Sequence, residues 1–198
     1  MTKILLIRHA ATDTAGKTLS GRTPGVLLNE EGYQQAEQLK QRLQHIPIDA
    51  IYSSPMERAM LTATPLSETR KLEIQTNAYF NEIDFGEWTN ASIESLKNND
   101  SFRLFNAFRS ITRIPGGETM MEAQLRIVTG LGNLYGEFPG KTVVVVSHAD
   151  MIKAALAFYL GMHLDVMHRI DITPCSVSMI HLFAASVTVT LMNHTGEI

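Results

Sequence analysis

Short apolar runs recur along the chain, and each is followed by small or polar residues and then by a charged or imidazole side chain. Three such runs cover residues 4–7, 48–52 and 143–146. Apolar runs of this length are typical of strands that lie in a parallel sheet and are buried on both faces. We therefore predict a mostly parallel sheet that contains these three segments.

Helical spacing of apolar residues appears between and after these runs. Residues 30–45 follow Asn29, a good N-cap residue, and carry apolar side chains at near-helical spacing. These side chains are Tyr33, Ala36, Leu39 and Leu43. A second apolar stripe follows residue 148 and stops at Gly161. It consists of Ile152, Ala155, Leu156, Tyr159 and Leu160. The spacing predicts a crossover helix and a second amphipathic helix.

The last part of the chain has the alternation of a hairpin. Residues 176–181 and 186–192 predict two strands joined by a tight turn near residues 184–185. Taken with the apolar runs and the helices, this predicts an α/β fold. The length of 198 residues and the 44% hydrophobic content fit one globular domain over residues 1–198.

Two segments do not fit this regular alternation. Residues 10–28 contain glycine and proline and no clear period, which predicts a long irregular loop. Residues 84–117 include an aromatic-rich helix near Phe105 and then the sequence Pro115-Gly116-Gly117 before another helix from residue 118 to about 135. We expect this insertion to cover the strand ends as a cap, and both segments to contact substrate.

Composition and charge exclude several classes of protein. The net charge is −3, the pI is about 6.2 and no basic run is present, so we expect no nucleic-acid partner and no membrane partner. The apolar start of the chain is too short for a signal peptide, which favours a cytoplasmic location. One cysteine, Cys175, excludes an intrachain disulfide. The seven histidines lack metal-ligand spacing, so we expect no metal and no cofactor.

Four candidate chemical groups come directly after predicted strands. They are Arg8, His9, Arg58 and His148. Ligands of open α/β sheets bind beyond the carboxyl ends of the strands, so we expect the four to meet there. Two arginines suit a phosphoryl group, which they bind bidentately. Repulsion by these cations should lower the histidine pKa values and leave a neutral imidazole that can attack phosphorus.

The leaving alcohol of such a reaction needs a proton. Glu82 lies among apolar and aromatic residues that could raise the pKa of a carboxyl group. Asp84 and Glu87 compete with it on composition alone. Each of these residues taken singly is more often structural than functional, and only the combined pattern favours catalysis.

At this point the motifs resemble the histidine phosphatase superfamily, also called the phosphoglycerate mutase-like family, over nearly the whole chain. The similar stretches are Leu6-Ile7-Arg8-His9, Ser53-Ser54-Pro55 with Arg58, residues 82–88, and Ser147-His148. The resemblance implies a three-layer α/β/α sandwich with a small helical cap. It also implies a phosphorylated nucleophile at His9, phosphate ligands at Arg8 and Arg58, a phosphoryl contact from His148, and a proton donor at Glu82.

Departures from the family pattern affect substrate contacts more than chemistry. Ala10 and Ala11 stand where the family has a glycine and a polar residue, before a familiar Thr12. Thr12, Gly21 and Arg22 are predicted to contact substrate. The arginines of the insertion, Arg103, Arg109 and Arg113, are predicted to face solvent.

The resemblance favours a metal-independent phosphomonoesterase that acts on a small phosphorylated metabolite through a phosphohistidine on His9. Sugar phosphates, phosphoglycerate and ribazole phosphate are the substrates it suggests. A phosphoglycerate mutase is an alternative, disfavoured because the chain lacks the extended basic insertion of glycolytic mutases. A catalytically silent phospholigand-binding module and a phosphohistidine protein phosphatase are further alternatives. The oligomeric state stays open, with a homodimer as one option.

Overall fold

A computed structural model describes the whole chain, residues 1–198. Its core is a single six-stranded sheet. The strands are β1 (Thr2–Arg8), β2 (Ala50–Ser53), β3 (Ile74–Thr76), β4 (Thr142–Ser147), β5 (Val177–Leu182) and β6 (Val187–His194). They lie in the order β3-β2-β4-β1-β5-β6. β1 to β4 pair in parallel, whereas β5 and β6 form the predicted antiparallel hairpin.

Helices cover both faces of this sheet. They are α1 (Glu30–Arg42), α2 (Glu57–Arg70), α3 (Ile93–Leu96), α4 (Asp100–Ala107), α5 (Met120–Glu137) and α6 (Ala149–Tyr159), with short 3-10 helices at Ala78–Phe80, Gly86–Trp88 and Leu164–Arg169. α1 and α2 bury their apolar side chains in one core, and α5 and α6 bury theirs in the other. The predicted three-layer α/β/α sandwich is confirmed.

The sequence pattern predicts the central strands correctly, but it misses an edge strand and part of the packing of α1. Val143–Val146 are fully buried, as expected for a strand covered on both faces. β3 was not predicted, because it has only three residues and two of them are exposed. Tyr33 is 48% exposed, so its prediction as a core residue of α1 is wrong. Gly32 takes the packed position instead, since a Cβ there would lie 2.2 Å from the Ala11 carbonyl oxygen.

Residues 84–117, here called the cap segment, leave the sheet and return to it at one place. Its two ends touch so closely that a Cβ on Gly117 would lie 2.3 Å from the Asp84 carbonyl oxygen. The Glu118 amide also donates to that oxygen at 3.0 Å. The Pro-Gly-Gly sequence at residues 115–117 therefore joins the base of the cap segment.

The cap segment packs against residues 10–28, here called the loop. The Leu19 amide donates to the Ala91 carbonyl at 3.0 Å, and the Ile93 amide donates to the Lys17 carbonyl at 2.9 Å. Trp88 packs against α4, with its ring centroid 5.6 Å from that of Phe105. None of the helices combines the length and apolar composition needed to cross a bilayer.

Candidate active site

The pairing of β1 with β4 brings the two candidate histidines together. Arg8 and Ser147 are register partners, so His9 and His148 follow at the same edge of the sheet. Their ring centroids are 5.2 Å apart. Arg58 arrives from the opening turn of α2, which follows β2, the other neighbour of β4. The structure thus places Arg8, His9, Arg58 and His148 in one cluster, here called the quartet.

The orientation of His9 leaves one ring nitrogen free. Its Nδ1 lies 2.7 Å from the Ala10 carbonyl oxygen, which can only accept a hydrogen bond. The neutral ring therefore carries its proton on Nδ1 and an unshared electron pair on Nε2. Burial, followed by the positive charges of Arg58 and Arg8, lowers the pKa of His9 to about 3. The predicted direction holds, but loss of solvation outweighs the charge repulsion that was expected to cause it.

His148 is fully buried and bonded on both ring nitrogens. Its Nε2 lies 2.8 Å from the Ser54 hydroxyl, and its Nδ1 lies 3.3 Å from Nη2 of Arg58 and 3.5 Å from Oε2 of Glu82. Burial, followed by Arg58, holds the pKa of His148 well below its usual range. His148 does not line the open cavity. It is therefore hydrogen-bonded to Arg58 and lies close to Glu82, away from the open cavity.

The two arginines present unpaired donors. Nη1 of Arg8 donates to the Ile172 carbonyl at 2.6 Å, and Nη2 of Arg58 donates to the Gly21 carbonyl at 2.8 Å. Nε of Arg8 and Nη1 of Arg58 are buried and have no hydrogen-bond partner in the protein. A buried donor without an acceptor is costly, so these N–H groups are suited to an anion that binds between them.

Of the three acids considered as proton donor, only Glu82 lines the cavity. Its Oε1 accepts a hydrogen bond from the Ile83 amide at 2.9 Å. Burial raises the pKa of Glu82 to about 7, although Arg58 opposes this rise. Asp84 is instead occupied by the Gly86 amide at 3.0 Å. The geometry therefore favours Glu82 for the transfer of a proton near neutral pH.

Two arginines hold the backbone of Glu82, and Glu118 pairs with both of them. Of these residues, Arg126 was missed in the sequence. Arg22, Glu118 and Arg126 are here called the support cluster. Arg22 Nε and Arg126 Nη2 both donate to the Glu82 carbonyl, at 2.9 and 3.3 Å. Both guanidinium groups also pair with Glu118, at 2.8 and 3.0 Å. A fixed Glu82 backbone follows from these bonds.

Arg22 therefore departs from its predicted role in substrate contact. Its guanidinium is engaged with Glu118 and with the Glu82 carbonyl, and the residue does not line the cavity. The other two predicted contact residues, Thr12 and Gly21, do line the cavity. Gly21 has a φ of +50°, which favours glycine, and its carbonyl accepts the bond from Arg58.

A cavity of about 270 Å³ opens above the quartet. The loop, the cap segment and the start of α6 form its walls. They contribute Thr12, Thr14, Ala15, Gly16, Thr18, Leu19, Ser20, Gly21, Phe85, Ile93, Ala149 and Asp150. The size and the position of the cavity suit a small molecule whose phosphoryl end reaches His9.

The arginines of the cap segment differ from one another. Arg103 and Arg113 are exposed, as predicted. Arg109 is only 12% exposed, so its prediction as a solvent-facing residue is wrong. Its Nη1 pairs with Oδ2 of Asp150 at 3.1 Å, and its guanidinium lies 5.1 Å from the centroid of the Phe105 ring. No group of three or more His, Cys, Asp or Glu side chains is arranged to hold a metal ion.

Known proteins are similar to this chain in sequence and in fold over most of their lengths. The phosphoserine phosphatase 1 of Hydrogenobacter thermophilus is 31% identical over 205 residues, covering 100% of this chain and 96% of that protein. The probable phosphoglycerate mutase GpmB of Salmonella choleraesuis is 28% identical over 184 residues, covering 91% and 85%. A phosphoserine phosphatase from Entamoeba histolytica, solved in complex with phosphoserine, has a TM-score of 0.89 at 27% identity and covers 98% of each chain.

The family match covers the same extent as the fold. The sequence model of the histidine phosphatase superfamily (branch 1) matches residues 4–195, from β1 to the last turn after β6. That range includes the quartet, Glu82 and the support cluster. Since the family model covers nearly the whole chain, and a relative above 30% identity spans all of it, the chain belongs to the histidine phosphatase superfamily.

Proposed function

We propose that the protein is a phosphomonoesterase that hydrolyses a small phosphorylated metabolite through a phosphohistidine on His9. One observation carries the proposal: unpaired, buried N–H groups of Arg8 and Arg58 lie beside an imidazole whose Nε2 is free. Donors fixed in advance around a nucleophile stabilise the charge that develops on phosphoryl oxygens. The family membership and the phosphatases among the relatives support the same reaction.

The reaction proceeds in two steps. In the first, Nε2 of His9 attacks phosphorus, the P–O bond to the alcohol breaks, and the carboxyl group of Glu82 gives its proton to the leaving oxygen. In the second, the Glu82 carboxylate takes a proton from water, the water oxygen bonds to phosphorus, and the P–N bond breaks. Inorganic phosphate leaves, and both His9 and Glu82 regain their starting states. A direct contact from His148 to the phosphoryl group stays a prediction.

Trapping the adduct tests this proposal. We expect rapid acid-free quenching during turnover of p-nitrophenyl phosphate to yield an acid-labile, base-stable phosphoryl group on His9 by mass spectrometry. His9→Ala should lose the adduct and at least about 1,000-fold in kcat, as expected for removal of a nucleophile. His45→Ala, which changes an exposed histidine, is the matched control. Wild-type turnover by His9→Ala would overturn the proposal.

A mutase activity is the second candidate, because GpmB shares 28% identity with the chain. The two activities differ in the acceptor of the phosphoryl group, which is water in one and a bound phosphoglycerate in the other. Incubation with 3-phosphoglycerate separates them, and we expect inorganic phosphate and no 2-phosphoglycerate. Tight phosphate binding without turnover of any phosphoester would support the silent binding module instead.

The proposal also covers the extent of the domain, its location in the cell and its need for a metal or cofactor. We infer one domain over residues 1–198, with 84–117 as its cap, that works in the cytoplasm without metal or cofactor. The net charge of −3 and the absence of a basic run support a small-molecule substrate over nucleic acid or a membrane surface. Sedimentation of the purified protein decides between a monomer and a homodimer.

A further inference from the structure

The walls of the cavity differ from its base in charge. The cations that line it, Arg8 and Arg58, both belong to the quartet and are suited to the phosphoryl group. The polar side chains on the walls are the hydroxyls of Thr12, Thr14, Thr18 and Ser20, and the carboxylate of Asp150. The alcohol part of a bound phosphomonoester therefore meets hydroxyl groups and one acid.

Asp150 is held so that one carboxylate oxygen stays available. It stands two residues after His148, in the first turn of α6. Oδ2 pairs with Arg109 at 3.1 Å, whereas Oδ1 forms no hydrogen bond with the protein. The side chain is 24% exposed and lines the cavity. A fixed acceptor with a free oxygen suits a hydroxyl or an ammonium donor on the ligand.

The nearby cations are not placed to receive a second anionic group. Arg22 is bound to Glu118 and lies outside the cavity lining. Arg109 is bound to Asp150 and, through Nη2, to Asn106 at 2.8 Å, and it also lies outside the lining. Lys17 is an exposed residue of the loop that does not line the cavity. A carboxylate on the alcohol part would meet the unpaired Oδ1 of Asp150, and no cation lines the walls to bind it.

We propose that Asp150 is a specificity-determining residue that selects phosphomonoesters of hydroxyl-bearing or amine-bearing alcohols and disfavours those that carry a carboxylate. This inference rests on the proposed function and deepens it by naming a substrate class. Specificity arises here from a repulsive element as well as an attractive one. Arg109 acts through Asp150 as a positioning residue, since it fixes which oxygen faces the cavity.

Two matched pairs of substrates test the inference. Glycerol 3-phosphate and 3-phosphoglycerate differ by a hydroxymethyl group in place of a carboxylate. Phosphoethanolamine and phosphoserine differ by the carboxylate alone. We expect the wild-type kcat/KM to be at least about tenfold higher for the member of each pair that lacks the carboxylate. A ratio near one, or one that favours 3-phosphoglycerate or phosphoserine, would overturn the inference without any variant.

The variant Asp150→Asn assigns the effect to this residue. It keeps the shape of the side chain and removes its charge, so we expect both ratios to fall by about tenfold. Asp165→Asn is the matched control, because Asp165 also binds the cap segment, through the Ser110 amide at 2.8 Å, but does not line the cavity. Its ratios should equal those of the wild type.

Each outcome has a distinct meaning. An Asp150→Asn protein that keeps the wild-type ratios would remove Asp150 from the explanation and overturn the inference. Failure of the wild type to release phosphate from all four substrates and from p-nitrophenyl phosphate would overturn the proposed function together with it. Release from p-nitrophenyl phosphate with the wrong preference would overturn only the inference.

Discussion

The quartet and the walls of the cavity above it differ in burial and in the secondary structure that holds them. Arg8 ends β1, His9 and His148 directly follow β1 and β4, and Arg58 lies in the first turn of α2. The two histidines and Arg58 are almost fully buried. The loop is irregular and the cap segment consists of short helices and turns, and both are partly exposed, as Phe108 is at 49%. From this comparison we expect the sheet to fix the groups of the proposed chemistry, and the loop and the cap segment to adapt the site to a particular substrate.

The quartet is fixed because its members have no alternative arrangement. A one-residue shift in the register of β1 against β4 would separate His9 from His148 and exchange the side chains that β1 sends into the two cores. The walls carry no such constraint. Their hydroxyls belong to a loop that joins the cap segment through a few backbone bonds.

The largest effect should follow from breaking the quartet. Arg58→Ala removes a guanidinium that bonds to Gly21, contacts His148 and offers a free N–H. We expect kcat/KM for p-nitrophenyl phosphate to fall by about 100-fold to 1,000-fold, as for the loss of a donor from an oxyanion site. Arg103→Ala, at an exposed position of the cap segment, should stay within twofold. Comparable losses of kcat/KM in both variants would refute the assignment of the chemistry to the quartet.

A smaller, pH-dependent effect should come from Glu82. A proton donor acts in its protonated form, and the pKa of Glu82 is raised to about 7. The value of kcat/KM for an alkyl phosphate, which reports the first step, should therefore fall about tenfold per pH unit above pH 7. His9, with a pKa of about 3, is already neutral over this range.

The variant Glu82→Gln should flatten this alkaline limb. Ionisation of the substrate is the same for both proteins, so the ratio of their rates isolates the carboxyl group. The value of kcat/KM for p-nitrophenyl phosphate should be less sensitive to the substitution, because kcat/KM reports the first step and this leaving group needs little help from an acid. A wild-type rate that stays level up to pH 9 would contradict the assignment of Glu82.

The smallest effect on chemistry should come from the interior of the cap segment. Phe105 is 1% exposed and packs against Trp88 and Arg109. Phe105→Ala should lower the free energy of unfolding by about 3 to 5 kcal/mol. Phe108→Ala, three residues away and half-exposed, should change it by about 0.5 kcal/mol or less. Denaturant titration compares the two, and equal losses would contradict the packing described.

Much of the fold could be predicted because it depends on local pattern. Buried strands are recognisable in the sequence as apolar runs. The start of α1 is recognisable from Asn29, whose side chain accepts a hydrogen bond from the Gly32 amide at 2.9 Å. Positions after strands then follow from the geometry of parallel sheets. The quartet was therefore accessible from the sequence.

The remaining features depend on partners that are distant in sequence. Arg109 and Asp150 are 41 residues apart, and Arg22 and Glu118 are 96 apart. No rule based on sequence spacing predicts such ion pairs. The environments predicted for Arg22 and Arg109 were therefore wrong. The dominance of burial over repulsion at His9 likewise depends on how completely the finished fold encloses the ring.

The closed base of the cap segment has a consequence for the diversity of such proteins. Gly86 and Gly117 bring its two ends into direct backbone contact, and the Glu87 amide donates to the Pro115 carbonyl at 2.9 Å. A segment that starts and finishes at one point can change in length at little cost in chain entropy. We therefore expect the exposed stretches of residues 88–114 to accept insertions or deletions while Glu82 and α5 keep their places.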